Sequence, residues 1–201
     1  MKKFSILLSI LLCLFLTACG GEAANQVIGE MMPDEMLPKE FSTVSDDGTK
    51  TTTHLDDAGN LASKTFEYSD GRTAHCTYDE HENRISETGT YPDGSSYETH
   101  FDKNGTAVVE IYKKADGTYN EMRCTESGTP LLEIYEAPDG TYTELQYTES
   151  GMPLLEIYKT PDGSVYTQEY GAMGNIIRET GTLADGSSYE REYDTNGNII
   201  Q

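Results

Sequence analysis

The sequence contains no tryptophan, and only five phenylalanines accompany its 14 tyrosines. The indole that commonly serves as a sugar-stacking platform is missing, so aromatic recognition would fall to tyrosine. Cations are scarce too: 14 Lys and Arg stand against 35 Asp and Glu, a net charge of −21. No basic patch exists to neutralise phosphates, which argues against nucleic acid or an anionic lipid surface as the ligand. The charge most simply keeps a strand-rich protein soluble, with a cationic partner or a divalent metal as the alternatives. There are four cysteines, too few for a disulfide framework. Apolar residues never recur with a period of 3.6 after residue 41, so no helix is expected there. Neither a Gly-x-Ser-x-Gly elbow nor a phosphate loop occurs. Serines fall in turns such as "DGSS", and no nucleophile stands beside a base. The chain is not expected to be an enzyme.

The one long apolar run is at the start. Lys2 and Lys3 precede "FSILLSILLCLFL" (Phe4 to Leu16), which is short for a bilayer span and ends at small residues. It reads as a secretory signal over residues 1–18. The stop, "LTAC" from Leu16 to Cys19 and followed by Gly20, resembles the lipobox of bacterial lipoproteins. That resemblance implies cleavage before Cys19, a diacylglycerol thioether on Cys19, and a lipid anchor at the extracytoplasmic face of a bacterial envelope. Two acyl chains on one residue suffice for stable anchoring. Loss of Lys2 and Lys3 takes the net charge from −21 to about −23. Residues 19–41 have prolines, acidic residues and no period, and read as a tether reaching roughly 25 Å.

From residue 42 to 201 one motif repeats. Asp-Gly recurs at Gly48, Gly71, Gly94, Gly117, Gly140, Gly163 and Gly186, always 23 residues apart. An invariant interval means that each unit stacks on the next in one geometry. Pro92, Pro138 and Pro161 precede three of the Asp-Gly pairs and preset the first turn position. A second turn comes twelve residues after each of these aspartates, at Gly59, Gly105, Gly128, Gly151, Gly174 and Gly197, with Glu82 in the remaining unit. Its expected form is a four- or five-residue hairpin loop closed by a left-handed glycine. Between the turns lie segments of six to seven residues with period two, rich in Tyr, Thr, Ile and Val. The expected fold is all-β: a repetitive antiparallel hairpin meander or spiral of seven 23-residue units and about fourteen short strands.

"YDTNGNII" (Tyr193 to Ile200) and "GNIIRETGTLADGSSYEREYD" (Gly174 to Asp194) resemble the YD repeats of Rhs-type proteins. The central units, such as "TESGTPLLEIYEAPDGTYTELQY", resemble MORN-like repeats, which form a cousin meander. The YD resemblance implies an all-β spiral that wraps a cargo in large toxins. The fold is carried over to this chain; the toxicity is not.

Several residues invite a chemical role. Glu87, Glu110, Glu133, Glu156 and Glu179 share one register of the second strand, with Lys64 in the first unit. Two strand spacings set them roughly 10 Å apart, too far to share a metal; the expectation is a row of solvated charges on the outer face. His54, His75 and His100 share a face without a compact zinc spacing. Cys76 and Cys124 are two units apart, about 19 Å in a flat meander, beyond disulfide reach. "DTNGN" around Gly197 has the Asp/Asn alternation of a calcium loop, but "DEHEN", "TESGT" and "GAMGN" fill the same slot. No cofactor beyond the Cys19 lipid is expected and no metal, with calcium kept as the alternative.

The functional expectation is a non-catalytic, membrane-anchored surface lipoprotein whose repeat domain binds or scaffolds an extracellular protein or glycan. Alternatives are an immunity partner of a secreted effector, a calcium-dependent adhesin, and a remnant of a larger Rhs-type protein. An edge strand offers a route to homo-association.

Overall fold

The computed structural model describes residues 38–200. The signal, Cys19 and the tether as far as residue 37 lie outside the described residues.

The alternating segments form fourteen strands. They are β1 (Glu40–Val44), β2 (Lys50–Leu55), β3 (Leu61–Glu67), β4 (Thr73–Tyr78), β5 (Arg84–Thr90), β6 (Ser96–Phe101) and β7 (Ala107–Lys113). β8 (Tyr119–Cys124), β9 (Pro130–Glu136), β10 (Tyr142–Tyr147), β11 (Pro153–Lys159), β12 (Val165–Tyr170), β13 (Ile176–Thr182) and β14 (Ser188–Glu192) complete the set. All belong to one open antiparallel sheet in strict sequence order. Each strand touches only the strand before it and the strand after it, so among the described residues no second layer covers either face.

The strand count agrees with the sequence but is made up differently. Six full hairpins run from β2 to β13, while β1 precedes the first Asp-Gly and begins at Glu40, inside the segment read as tether. The seventh unit contributes β14 and, beyond its turn, a single Tyr193–Ile199 bridge.

Both kinds of turn have the same backbone. In the Asp-Gly turn at Tyr91–Ser95, the Gly94 amide donates to Tyr91 O and the Tyr91 amide to Ser95 O, both at 2.9 Å. At Asp194–Asn198 the equivalent bonds are 3.0 and 2.9 Å. The closing residue needs positive φ, and Gly94 and Gly197 supply it at 86° and 83°. Gly48, Gly59, Gly71, Gly105, Gly117, Gly128, Gly140, Gly151, Gly163, Gly174 and Gly186 take the same conformation. Glu82 alone does so as a non-glycine, at φ 61°.

The two turns differ in the strand pairing beside them. Asp-Gly turns lead into unbroken register, whereas each second turn is flanked by a one-residue shift in pairing. Tyr147 pairs with Pro153 and Gln146 with Leu155, for example, leaving Leu154 as the extra residue. The same bulge leaves out Ala62, Ile85, Val108, Leu131 and Ile177 in the other hairpins. A bulge re-aims a side chain. Here it turns an apolar one outward: Ile85, Leu154 and Ile177 are 43%, 45% and 41% exposed.

With no second layer, the core is thin. Leu61, Ala74, Cys76 and Phe101 are its buried apolar members. Cys76 lies in β4 and Cys124 in β8, four strand intervals apart.

Candidate functional site

Strand alternation and the cross-strand pairing sort the side chains onto two faces with different chemistry. Glu87, Glu110, Glu133, Glu156 and Glu179 fall on one face, in one line across the sheet. Thr99, Met122, Leu145 and Gln168 stand between them on the intervening strands. This is the glutamate face. The bulged residues flank the row on one side. On the other, Tyr112, Tyr135 and Tyr158 stand at the position filled by Gly89 and Gly181 in their units.

The glutamates are not a solvated row, which corrects the expectation from sequence. Glu87 is buried and the other four are half-buried; against all but Glu110 lies a tyrosine from the neighbouring strand. Two donor positions recur. Ten residues after the glutamate, Tyr97 donates to Glu87 at 2.6 Å and Tyr189 to Glu179 at 2.7 Å. Fourteen residues after it, Tyr147 donates to Glu133 at 3.1 Å and Tyr170 to Glu156 at 2.8 Å. Glu179 also receives Tyr193 at 3.4 Å.

Glu110 differs. Asn120 and Cys124 occupy its two donor positions, and burial pushes its carboxyl above the usual carboxylate range. The tyrosines shift in the same sense: burial and then the Glu179 carboxylate push Tyr189 up to about 12, and burial with a glutamate neighbour raises Tyr97, Tyr147 and Tyr170.

Glycine sets the first donor geometry. A Cβ on Gly89 would lie 2.3 Å from the Tyr97 ring, and one on Gly181 2.3 Å from the Tyr189 ring. Each tyrosine therefore lies across a glycine with its hydroxyl aimed at the glutamate two residues earlier. "ETGT" followed by "DGSSYE" encodes this arrangement twice.

Cations occupy both ends of the row. Arg84 places Nη1 2.5 Å from Glu87 and its guanidinium 4.1 Å from the centre of the Phe101 ring. Arg191 places Nη1 3.3 Å from Glu179 and its guanidinium 4.6 Å from the centre of the Tyr189 ring. Between them, from β7 to β12, no Lys, Arg or His stands on this face among the described residues. A shallow depression of about 260 Å³ opens there, lined by Glu156, Tyr158, Tyr166, Gln168, Glu179 and Tyr189. The rings of Tyr158 and Tyr166 stack at 6.3 Å.

The opposite face largely satisfies itself. Toward the N-terminus its hydroxyls pair across strands: Thr73 with Thr90 at 2.7 Å and Thr77 with Ser86 at 2.6 Å. Further on, Arg123 pairs with Glu121 at 2.5 Å, and Arg178 with Glu169 and Glu190. Lys113 and Lys159 sit over the rings of Tyr119 and Tyr142.

The histidines also lie on this opposite face, but each has its own partner. His54 meets Glu40 at 3.1 Å, His75 meets Thr65 at 3.0 Å and His100 meets Glu98 at 2.7 Å. Among the described residues no three metal-ligating side chains converge.

In "DTNGN", one Asp194 oxygen accepts the Asn196 and Asn198 amides at 2.9 and 2.8 Å, and the other accepts Asn198 Nδ2 at 2.9 Å. The alternation that suggested a calcium loop is accounted for by turn hydrogen bonds.

No family model matches the chain, and no curated protein matches it. Among solved structures it is similar to the SAS-4 (dCPAP) TCP domain in complex with a proline-rich motif of Ana2 (dSTIL) of Drosophila melanogaster. The identity is 14% and the TM-score 0.43, over 75% of this chain and 88% of that one. It is also similar to TcdB2-TccC3 without its hypervariable C-terminal region, at 13% identity and TM-score 0.22. That match covers 80% of this chain and 10% of the other. The Tc holotoxin pore of Photorhabdus luminescens matches at 14% identity and TM-score 0.23, over 79% and 10%.

Proposed function

We propose that the protein is a non-catalytic lipoprotein, anchored through Cys19 at the extracytoplasmic face of a bacterial membrane, whose glutamate face binds another envelope or extracellular protein. One observation carries the reading. Six successive bulges turn an apolar residue onto the same face as the glutamate and tyrosine rows, and Ile85, Leu154 and Ile177 are left exposed there. These three, with the half-buried Ala62, Val108 and Leu131 at the same repeat position, form the kind of apolar patch that marks an interaction site. The lipobox-like "LTAC" supports the anchor. The spacing of the carboxylates, roughly 10 Å, and the tyrosine hydroxyls donated to all of them but Glu110 favour recognition over acid–base chemistry.

The test places a photo-crosslinking amino acid at Leu154 or, on the opposite face, at Thr88, in the full chain expressed in its own host. Adducts from position 154 alone are the expected result. Equal adducts from both positions, or none from 154, would contradict the reading.

A further inference from the structure

The five glutamates are equivalent positions in one repeat, so the ends of the row show what the middle can hold. At both ends an arginine of the chain fills the same kind of seat, a guanidinium between a glutamate carboxylate and an aromatic ring. Arg84 does so with Glu87 and Phe101, and Arg191 with Glu179 and Tyr189. The repeat positions of Arg84 become Ala107, Pro130 and Pro153 in the central units, and those of Arg191 become Met122, Leu145 and Gln168. Glu110, Glu133 and Glu156 thus have carboxylates, neighbouring tyrosines and no in-chain cation among the described residues.

Their spacing is specific as well. Two strand intervals of about 4.8 Å separate successive glutamates by about 9.6 Å. A polyproline-II segment repeats every three residues with a rise of about 3.1 Å per residue, so its i and i+3 side chains share a side about 9.3 Å apart. A β-strand ligand would put residues i and i+3 on opposite sides.

From this we infer that the glutamate face seats an extended, cationic segment of the partner protein. It runs across the strands in a polyproline-II-like conformation, with Arg or Lys at every third residue standing on Glu110, Glu133 and Glu156. The inference rests on the binding reading above and names the ligand's chemistry. Leu131 and Leu154 on one side of the row, and Tyr135 and Tyr158 on the other, contact the residues between the cations. The net charge of −21 steers such a segment in and makes association salt-dependent.

The test uses the full-length lipoprotein in detergent and two synthetic peptides of identical composition. One repeats Arg-Pro-Pro five times; the other gathers its five arginines at one end. Binding is followed by fluorescence anisotropy. The periodic peptide is expected to bind at least tenfold tighter than the block peptide. The Glu110→Gln, Glu133→Gln, Glu156→Gln triple variant is expected to abolish that preference with its melting transition retained. Glu121→Gln with Glu144→Gln, on the other face, is expected to leave it unchanged. Equal affinity for the two peptides, no binding of either, or loss of preference in the opposite-face variant would each overturn the inference. Should position 154 still crosslink a partner in cells, the binding reading survives and only the ligand's chemistry is wrong. Without that crosslink the binding reading fails too.

Discussion

At the scale of single residues, the turns show what the 23-residue spacing protects. The loop closes through positive φ, and Glu82 takes it without being glycine. An L side chain there costs roughly 1–2 kcal/mol, partly offset by the greater freedom of glycine in the unfolded chain. Glu82→Gly is expected to stabilise the protein by about 1 kcal/mol, read as a rise in the thermal midpoint. At Gly89 the constraint is space, since the Tyr97 ring and the Thr73 carbonyl would stand 2.3 and 2.7 Å from an added Cβ. Gly89→Ala is expected to destabilise by roughly 1–3 kcal/mol through overpacking, measured by denaturant unfolding.

The turn glycines could be located from the sequence because positive φ leaves a nearly fixed residue. The tyrosine–glutamate bonds could not, since they join residues ten and fourteen apart across a strand boundary. Their signal was present in retrospect: Tyr97 and Tyr189 each come after a Glu-Thr-Gly-Thr. Period two assigned the glutamates to a face correctly, but exposure depends on whether a tyrosine lies over them, and alternation is silent on that.

At the scale of strands and turns, the aspartates give the protein its pH response. Eleven turn aspartates, Asp47 and Asp194 among them, are held below the usual carboxylate value of 3.8 by backbone amides and side-chain donors. Their contribution is complete above about pH 4 and is lost as pH falls through the lowered folded values. Glu110 acts in the opposite sense. Burial raises it from 4.5, so its contribution is complete below that value and is lost as pH rises through the folded one. Tyr119, Tyr142 and Tyr189, pushed up from 10.0 to about 12, lose theirs as pH rises from about 10 to 12. Thermal midpoints measured against pH should therefore peak near pH 5, fall steeply below pH 4 and fall again above pH 10. A flat profile between pH 3 and 5 would contradict the turn assignment. Because the Asp194 oxygens already accept amides, millimolar calcium is expected to leave the thermal midpoint unchanged. A rise of several degrees would restore the calcium reading.

The second turn illustrates what stays hidden at this scale. Its glycine announces a loop, but the register shift beside it shows only in how the two strands pair. Val108, Leu131 and Leu154 recur in sequence as an ordinary apolar register. Pairing shows them to be bulge residues, which is why the exposure of Leu154, and of Ile85 and Ile177 at the same repeat position, appeared only in the structure.

At the scale of the molecule, the single layer formed by the described residues sets how stability is distributed. Among the described residues each strand contacts only its neighbours, so cohesion is approximately a sum over adjacent pairs. The fourteen-strand meander could be foreseen because an unbroken 23-residue interval permits one stacking geometry. Which face is proposed for binding could not, since both faces carry glutamate and tyrosine. The difference lies in where the arginines and lysines settle. For the anchor, Cys19→Ser is expected to move the protein from the membrane pellet to the soluble fraction. Retention in the pellet would contradict lipid attachment.

Under the proposed function, a partner in the envelope covers the glutamate face and not its reverse. Carboxyl footprinting with a water-soluble carbodiimide, on intact cells and on the purified full-length protein, tests this. The account predicts that Glu110, Glu133 and Glu156 label less on cells than in the purified protein, while Glu98, Glu144 and Glu190 label equally in both. Unchanged labelling of the first three, or protection of the second three, would contradict it.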